Sequence, residues 1–292
     1  NEAVSNGSKD GEGGAIYFEG SYCNIYGCEF NNNYASKGGS ITYNDNAQSQ
    51  QQNYRNCSVK NNKFYRNDEK SATCSLIYLY LETRSQFVFN NNEIHNKDNK
   101  AVAVFESAPN PKPVSNYAFS SNCITPGDSI IYSNSVFDDI IKERFSTCGN
   151  SEPPVTKPTK NPTPKPQPPS TETNYCEDKP SDSIDITKDT ISGSKILYAC
   201  DHTFSERISN NDKGVFQIYH CTFSSIISQS SNGSAIYSKT TGDSAKGSII
   251  IYKSTFENCK GFKGGAIYIF TSQLSRFHNI TECTFNNNEA VS

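Results

Sequence analysis

The 292-residue sequence has no methionine, no tryptophan and no Cys-x-x-Cys pair. No run approaches the roughly 18 apolar residues of a membrane-spanning helix, so these residues contain no transmembrane candidate. The formal net charge is −3, and the lysines are scattered. This argues against a nucleic-acid partner, because such proteins gather basic residues on one face. Without methionine the chain contains no start codon, so we expect it to be part of a longer polypeptide.

The hydrophobic fraction is low at 34%, yet 12% of the residues are aromatic, all of them Tyr or Phe. The mean hydropathy is −0.67. Disordered chains are poor in aromatic and β-branched residues, whereas strands are rich in both. The composition therefore predicts a folded, strand-rich protein with a very polar surface.

Eleven cysteines occur together with four Asn-x-Ser/Thr sequons, at Asn6, Asn56, Asn232 and Asn279. Many cysteines are typical of proteins that fold in oxidising compartments, and sequons are acceptors for glycans in secreted proteins. We therefore expect an extracellular or cell-surface protein that carries N-glycans at these four asparagines.

The pentapeptide NEAVS occurs at residues 1–5 and again at residues 288–292. This recurrence predicts a tandem repeat with a period of 287 residues (288 − 1). The last residues of one copy would then run into the first residues of the next. The expected partner is therefore the protein itself, as tandem copies or by end-to-end assembly.

A shorter period, near 30 residues, runs through most of the chain. An apolar residue three positions before Asn recurs as Phe30 and Asn33, Val59 and Asn62, Phe89 and Asn92, Phe119 and Asn122, and Phe285 and Asn288. Strand-like runs such as GGAIYF (13–18), GGSITY (38–43) and GGAIYIF (264–270) alternate with these pairs. Short β-branched and aromatic runs bounded by Gly and Asn are typical of strands.

Several short strands per 30-residue unit predict an all-β fold, a right-handed parallel β-helix whose coils stack about 4.8 Å apart. Phe and Ile would stack inside it. We expect the Asn side chains to form one ladder at a turn that tolerates left-handed geometry, with amides bonding between coils. The Gly pair suits a tight corner. The expected ladder comprises Asn33, Asn62, Asn92, Asn122 and Asn288.

The pairing of GGAIY with Phe-x-x-Asn resembles the repeat of the polymorphic membrane proteins, β-helical surface proteins of chlamydiae with relatives in trichomonad protists. The resemblance covers most of residues 13–133 and 214–292. Residues 101–104 lack the glycines, and residues 223–226 lack the Asn. The resemblance implies a secreted or cell-surface β-helix used for adhesion or as a scaffold, and it implies no catalytic site.

Residues 151–173 contain 8 of the 13 prolines, alternating with Thr and Lys. Such a segment favours polyproline II and cannot lie inside a sheet. We expect a linker here, between β-helix coils in residues 1–150 and further coils in residues 174–292 that continue into residue 1 of the next copy. The candidate O-glycosylation sites are Thr156, Thr159, Thr163, Thr171 and Thr173.

Several cysteines lie two residues before the recurring apolar residue, among them Cys28, Cys57 and Cys283. On adjacent coils such residues lie within the Cα distance of a disulfide. Cys28 could pair with Cys283 across copies or with Cys57, but not with both. Cys148 and Cys176 flank the linker and could close it as a loop. The alternative is that some are buried thiols, and at least one of the eleven is free or pairs between chains.

Parallel β-helices also occur in polysaccharide lyases and glycosidases, which use placed carboxylates or an acidic Ca²⁺ site. The only Asp pair is Asp138-Asp139, in a stretch that could form a short helix, and its simplest interpretation is a solvated face. The four histidines, His95, His202, His220 and His278, lack metal-ligand spacing and are expected at the surface. The sequence therefore predicts no enzyme, no metal and no cofactor.

The function predicted from the sequence is that of a structural subunit in an extracellular fibre or surface filament. The alternative is a multi-domain adhesin or glycan-binding β-helix, in which stacked exposed Tyr side chains would contact sugar rings. Tyr recurring once per coil more often indicates half-buried packing.

Overall fold

The computed structural model describes residues 11–20, 22–44, 55–72, 74–80, 85–97, 104–107, 117–126, 144–149, 176–177, 179–186, 191–192, 196–211, 215–228, 230–240, 248–271 and 277–291. In this part of the chain the structure consists of strands β1 to β29 and one four-residue helix, α1 (Glu69–Ala72). The strand pairs of the described residues are parallel. The predicted all-β, parallel architecture is confirmed.

The strands form three large sheets and one small sheet, and within each sheet they are hydrogen-bonded in a fixed order of neighbours. The first sheet comprises, in that order, β10 (Phe105–Ser107), β7 (Ile77–Tyr80), β4 (Ile41–Asn44), β1 (Ile16–Glu19), β26 (Ile267–Thr271), β22 (Ile236–Thr240), β18 (Ile208–Asn211) and β15 (Ile191–Ser192). The second comprises β11 (Tyr117–Ser120), β8 (Ser85–Asn90), β5 (Arg55–Lys60), β2 (Tyr22–Tyr26), β27 (Phe277–Thr281), β23 (Ser248–Tyr252), β19 (Val215–Tyr219), β16 (Ile196–Cys200) and β14 (Ile184–Asp185).

The third sheet comprises β13 (Phe145–Thr147), β12 (Asn122–Thr125), β9 (Glu93–Asn96), β6 (Lys63–Arg66), β3 (Glu29–Asn31), β28 (Thr284–Asn286), β24 (Thr255–Glu257), β20 (Thr222–Ser224) and β17 (Thr203–Phe204). The small sheet comprises β21 (Ile227–Ser228), β25 (Lys260–Gly261) and β29 (Glu289–Ala290). From β1 to β12 and from β14 to β29, consecutive strands lie in different sheets, and the chain returns to each large sheet one position further along. Strands β12 and β13 are neighbours in the third sheet, and β14 begins at the opposite end of the strand order. We call the strands at one such position a level.

The core lies between the sheets and is built from alternate strand residues. In the third sheet, one inward position is phenylalanine on six successive levels, with neighbouring ring centroids 4.6 to 4.9 Å apart and ring planes within 12°. The row runs through Phe204, Phe223, Phe256, Phe285, Phe30 and Phe64. Because each ring lies over the next, adding a level extends the apolar core without leaving a void.

Eight strands of the third sheet are preceded by a residue with left-handed backbone, and four of these strands are also followed by one. The next residue is buried in every case except His202. Asn61 and Asn91 have φ of 57° and 56° at the corner before the third sheet. Asn32 and Asn287 have φ of 50° and 52° at the corner after it. Asn tolerates this conformation better than most residues. The left-handed residue is thus the one before the predicted ladder Asn, which is itself buried.

The predicted single ladder is wrong, because the two corners carry separate ladders. In one, the Asn62 N–H donates to Asn92 Oδ1 at 2.9 Å, and the Asn92 N–H donates to Asn122 Oδ1 at 3.0 Å. In the other, the Asn288 N–H donates to Asn33 Oδ1 at 2.9 Å. The predicted hydrogen bonds of Asn side-chain amides between levels are therefore present, but they join each Asn only to other Asn residues at its own corner.

Candidate functional site

Three strand pairs join parts of the chain that are far apart in sequence, and we call their contacts the seam. In it β1 pairs with β26, β2 with β27 and β3 with β28. The paired residues lie 251 to 255 positions apart (267 − 16 and 285 − 30). Strands β1, β2 and β3 thereby follow β26, β27 and β28 as the next position in each of the three large sheets. For a protein predicted to act through its own stacking, the seam is the candidate site.

The interior of the seam is as closely packed as the neighbouring levels. Phe285 and Phe30 stack with centroids 4.9 Å apart and planes 6° apart. The register also pairs buried Ile280 with buried Ile25. Nothing in this packing marks the seam as a domain boundary, since the Phe row passes through it unbroken.

Amide side chains hydrogen-bond across the seam at its corner and on its outer face. Asn288 Nδ2 donates to Asn33 Oδ1 at 3.0 Å, and Asn33 Nδ2 donates to the Phe285 carbonyl at 2.9 Å. On the outer face of the second sheet, Asn24 Nδ2 donates to Asn279 Oδ1 at 2.7 Å. Buried amides must be paired because an unsatisfied one destabilises the fold by about 1–3 kcal/mol.

Ion pairs add charge complementarity at the rim of the seam. Lys263 Nζ lies 2.9 Å from the buried Glu12 carboxylate. Glu289 accepts from Lys70 at 2.6 Å and from Lys260 at 3.2 Å. Burial by itself raises the pKa of Glu289, but the two lysines outweigh it, so that the pKa lies below its ordinary value. Glu289 is therefore ionised in the folded protein at neutral pH.

The tyrosines of the recurring GGAIY runs stack, as expected, but they are not open to solvent. Tyr17 stacks on Tyr268 at 5.2 Å, and Tyr268 stacks on Tyr237 at 5.4 Å. Tyr17 is 0% and Tyr268 8% exposed, and burial raises the pKa of both hydroxyls well above the ordinary value. These rings pack levels together and leave little face for a sugar ring, in accord with the predicted half-buried packing.

The register settles which cysteines face each other. Pairing of Glu29 with Thr284 places Cys28 beside Cys283, and Cys23 is paired directly with Cys57. The expected alternative of Cys28 with Cys57 is wrong, because Cys57 lies within β5 of the second sheet. Cys28 precedes β3, and its N–H donates to Asn62 Oδ1 at 2.8 Å.

Cys23 was not among the disulfide candidates predicted from the sequence. The sequence feature that could have indicated the Cys23–Cys57 pair is a shared spacing: Cys23 lies two residues before Ile25, and Cys57 lies two residues before Val59.

Two disulfides are present among the described residues, and both differ from the expectation. Cys148 is bonded to Cys123, with a Cα–Cα distance of 4.8 Å, and Cys176 is bonded to Cys200, with 5.7 Å. The predicted Cys148–Cys176 bridge is therefore wrong. Each flanking cysteine is bonded to a strand on its own side of the linker, so the disulfides anchor the two sides separately.

The histidines are not all surface residues. His95 stacks on Tyr65 with centroids 4.9 Å apart, and His202 is exposed. His278, in contrast, is 0% exposed and lies edge-on to Phe18 at 5.5 Å. The surface prediction is wrong for His278, because an alternate position in β27 points into the core. Asp138 and Asp139 lie outside the described residues.

One cluster of potential metal ligands occurs in the part of the chain that the structure describes: the ligand atoms of Cys176, Cys200, Asp201 and His220 all lie within 4.8 Å of one another. No sequence pattern indicated it, because the four residues have no recognised spacing. The two sulfur atoms are bonded to each other. A disulfide has no thiolate to offer a metal, so the cluster in this form is a structural crosslink.

The predicted N-glycosylation sites lie in different settings. Asn56 and Asn279 are partly exposed in β5 and β27, and Asn232 is partly exposed in a turn. Asn6 and the candidate O-glycosylation sites Thr156, Thr159, Thr163, Thr171 and Thr173 lie outside the described residues.

Comparison of the chain with protein-family models, with curated proteins and with solved structures found no match. In the described part of the chain, no helix has the length and apolar character needed to cross a membrane. The function is therefore inferred from the sequence and from the geometry of the seam.

Proposed function

We propose that this chain is a structural subunit of an extracellular fibre or surface filament, built as a right-handed parallel β-helix. Its coils would be the levels described above. The observation that carries the proposal is the seam: residues 251 to 255 positions apart stack with the same register and packing as neighbouring levels. A surface that accepts a continuation of the stack so closely can accept the same segment from another copy.

The arrangement of the sheets supports a rod. Each strand in the interior of a sheet has parallel neighbours on both sides, usually about one 30-residue unit away. Solenoids of this kind depend only on contacts between adjacent units, so they extend without limit until a cap intervenes. The tandem period of 287 residues inferred from NEAVS (288 − 1) and the resemblance to polymorphic membrane proteins favour the same function.

An extracellular location is part of this proposal. The Cys123–Cys148 and Cys176–Cys200 disulfides are typical of oxidising compartments. The sequons add glycans as covalent partners. On the outer face of the second sheet, Asn279 accepts from Asn24 through its Oδ1, whereas a glycan would be attached to its Nδ2.

The test is electron microscopy of protein purified without denaturant or reductant. The nine strands of the second sheet predict an axial repeat of about 43 Å, at ~4.8 Å per level. Continuous filaments with this repeat are the expected result. Isolated rods, or beads joined by thin gaps, would overturn the fibre proposal and favour the multi-domain adhesin, for which exposed Phe277 and Tyr26 are the available aromatic contacts.

A pair of variants shows whether seam packing is responsible for assembly. Ile280→Asp places a carboxylate at a fully buried seam position, whereas Ile227→Asp changes an isoleucine that is 61% exposed. Filaments should disappear in the first variant and persist in the second. Equal filament yield from both would contradict a role for the seam.

A further inference from the structure

Seven of the cysteines lie outside the two disulfides, and all seven are buried. Four of them form two facing pairs on neighbouring levels, Cys28 with Cys283 and Cys23 with Cys57. Both pairs can form at once, because they share no cysteine. The pairings expected from the sequence, Cys28 with Cys283 or Cys28 with Cys57, exclude each other because both use Cys28.

The first pair spans the seam. The Cys283 N–H donates to Cys28 Sγ at 3.4 Å, and the Cys28 thiol donates to the Ile280 carbonyl at 3.5 Å. Both side chains are 1% exposed. Adjacent parallel strands lie about 4.8 Å apart, inside the roughly 4.4–6.8 Å Cα range of disulfides. The Cys123–Cys148 bond already joins neighbouring levels of this protein at a Cα–Cα distance of 4.8 Å.

The second pair lies one level further on, inside the core. Cys23 and Cys57 are direct register partners in β2 and β5, and they are 2% and 0% exposed. Their neighbours along the same row are His278 on one side and Phe87 on the other. Within these four described positions of the row, no other thiol competes for either sulfur.

We propose that Cys28–Cys283 and Cys23–Cys57 are redox sites that form two further disulfides, and that the first of them fastens the seam covalently. The oxidant is a small-molecule disulfide. One protein thiolate attacks a sulfur of the oxidant and releases one small thiolate. The second protein thiolate then attacks the mixed disulfide and releases the other. Each bond thus converts two protein thiols and one oxidant disulfide into one protein disulfide and two small thiols, which take up the two protons.

The remaining thiols face other groups in the described part of the chain. Cys221 faces Ser254, whose Oγ accepts from the Cys221 N–H at 3.1 Å. The Cys259 N–H donates to Asn288 Oδ1 at 3.0 Å. With four disulfides, three of the eleven cysteines stay free (11 − 8): Cys74, Cys221 and Cys259.

Burial decides when the bonds form. It raises the pKa of Cys57 and of Cys283 well above the ordinary value, and only the thiolate attacks a disulfide. Oxidation is therefore expected while the levels are coming together and is slow once the seam has closed. In this structure both pairs lie within one chain, and Cys23–Cys57 joins β2 and β5 without crossing the seam, so that bond does not depend on whether the protein builds a fibre.

The test is refolding of the full, reduced chain in a buffer of oxidised and reduced glutathione. Free thiols are then alkylated, and disulfide-linked peptides are mapped by mass spectrometry. We expect linked peptides for Cys28–Cys283 and Cys23–Cys57, and alkylation of Cys74, Cys221 and Cys259. Recovery of Cys28 and Cys283 as alkylated thiols, or joined to other partners, would overturn the proposal.

Serine variants keep the test independent of folding failure. Serine is compatible with this corner, because Ser254 occupies it naturally next to Cys283. Oxidation should raise the urea midpoint of the wild type and of Cys221→Ser, the matched control, but the rise should be smaller in Cys28→Ser. An equal rise in Cys28→Ser would contradict a fastening role for the seam bond.

Discussion

The Phe row through the seam permits a quantitative test of whether the two distant parts of the chain stack on each other. Phe285 lies between Phe256 and Phe30, at centroid distances of 4.9 Å on both sides. Replacing it with Leu keeps most of the apolar volume but removes both ring stacks. At about 1 kcal/mol per aromatic pair, Phe285→Leu should destabilise the fold by about 2 kcal/mol.

Phe30→Leu should have a similar effect, since Phe30 stacks on Phe285 and on Phe64 at 4.8 Å. The two changes share the Phe285–Phe30 stack, so the sum of the single variants counts that stack twice. The double variant should therefore lose about 1 kcal/mol less than the sum, a coupling that double-mutant cycles resolve. Phe223→Leu with Phe30→Leu is the reference cycle, because those rings share no stack and should be additive.

The assay is equilibrium urea unfolding followed by far-UV circular dichroism, because the chain has no tryptophan to report fluorescence. Wild type and variants are compared in the same redox state, so that a disulfide does not alter the unfolded reference. Zero coupling between Phe285 and Phe30, with additivity in the reference cycle as well, would refute the stacking across the seam. Coupling in both cycles would mean that the substitutions act through general loosening of the core.

Two further predictions concern polar groups. Asn92→Ala should destabilise the protein by about 3 kcal/mol, because it leaves the buried Asn62 N–H and the Val59 carbonyl without their partner. Urea unfolding midpoints measure this loss. The control is Gln86→Ala, at an exposed position on β8, which should change the midpoint little. The pKa of Glu289 is lowered in the folded state by Lys70 and Lys260, so its stabilisation is complete above the unfolded value of about 4.3 and is lost as the pH falls through the lower folded value. Unfolding free energies measured from neutral pH into this acid range should fall more steeply for the wild type than for Glu289→Gln, and identical slopes would contradict this role.

The strand content and the parallel stacking were predictable from local pattern. Short β-branched and aromatic runs bounded by Gly and Asn can hardly form anything but strands, and a period near 30 residues places equivalent residues on neighbouring levels. The burial of Tyr17 and Tyr268 followed from the same pattern, because a residue that recurs on every level packs against its own equivalents.

The register within a level was not predictable. Phe30 with Asn33 and Val59 with Asn62 share one local pattern, yet they lie at different corners: Phe30 stacks on Phe64, and Val59 pairs with Ile25. The two corners make the same demands, a left-handed residue followed by a buried hydrogen-bonding side chain. Local sequence therefore cannot distinguish them.

Local sequence was sufficient to predict short parallel strands in a repeating stack with Phe and Ile inside and amide side chains at the corners. These properties follow from side-chain preferences acting over a few residues. The three-dimensional arrangement was needed to show that Cys57 faces Cys23, that Cys148 is bonded to Cys123, and that β1 lies between β26 and β4. These contacts depend on which strands are neighbours in a sheet. The neighbours are set by how whole levels pack on each other, which a few residues of local sequence do not specify.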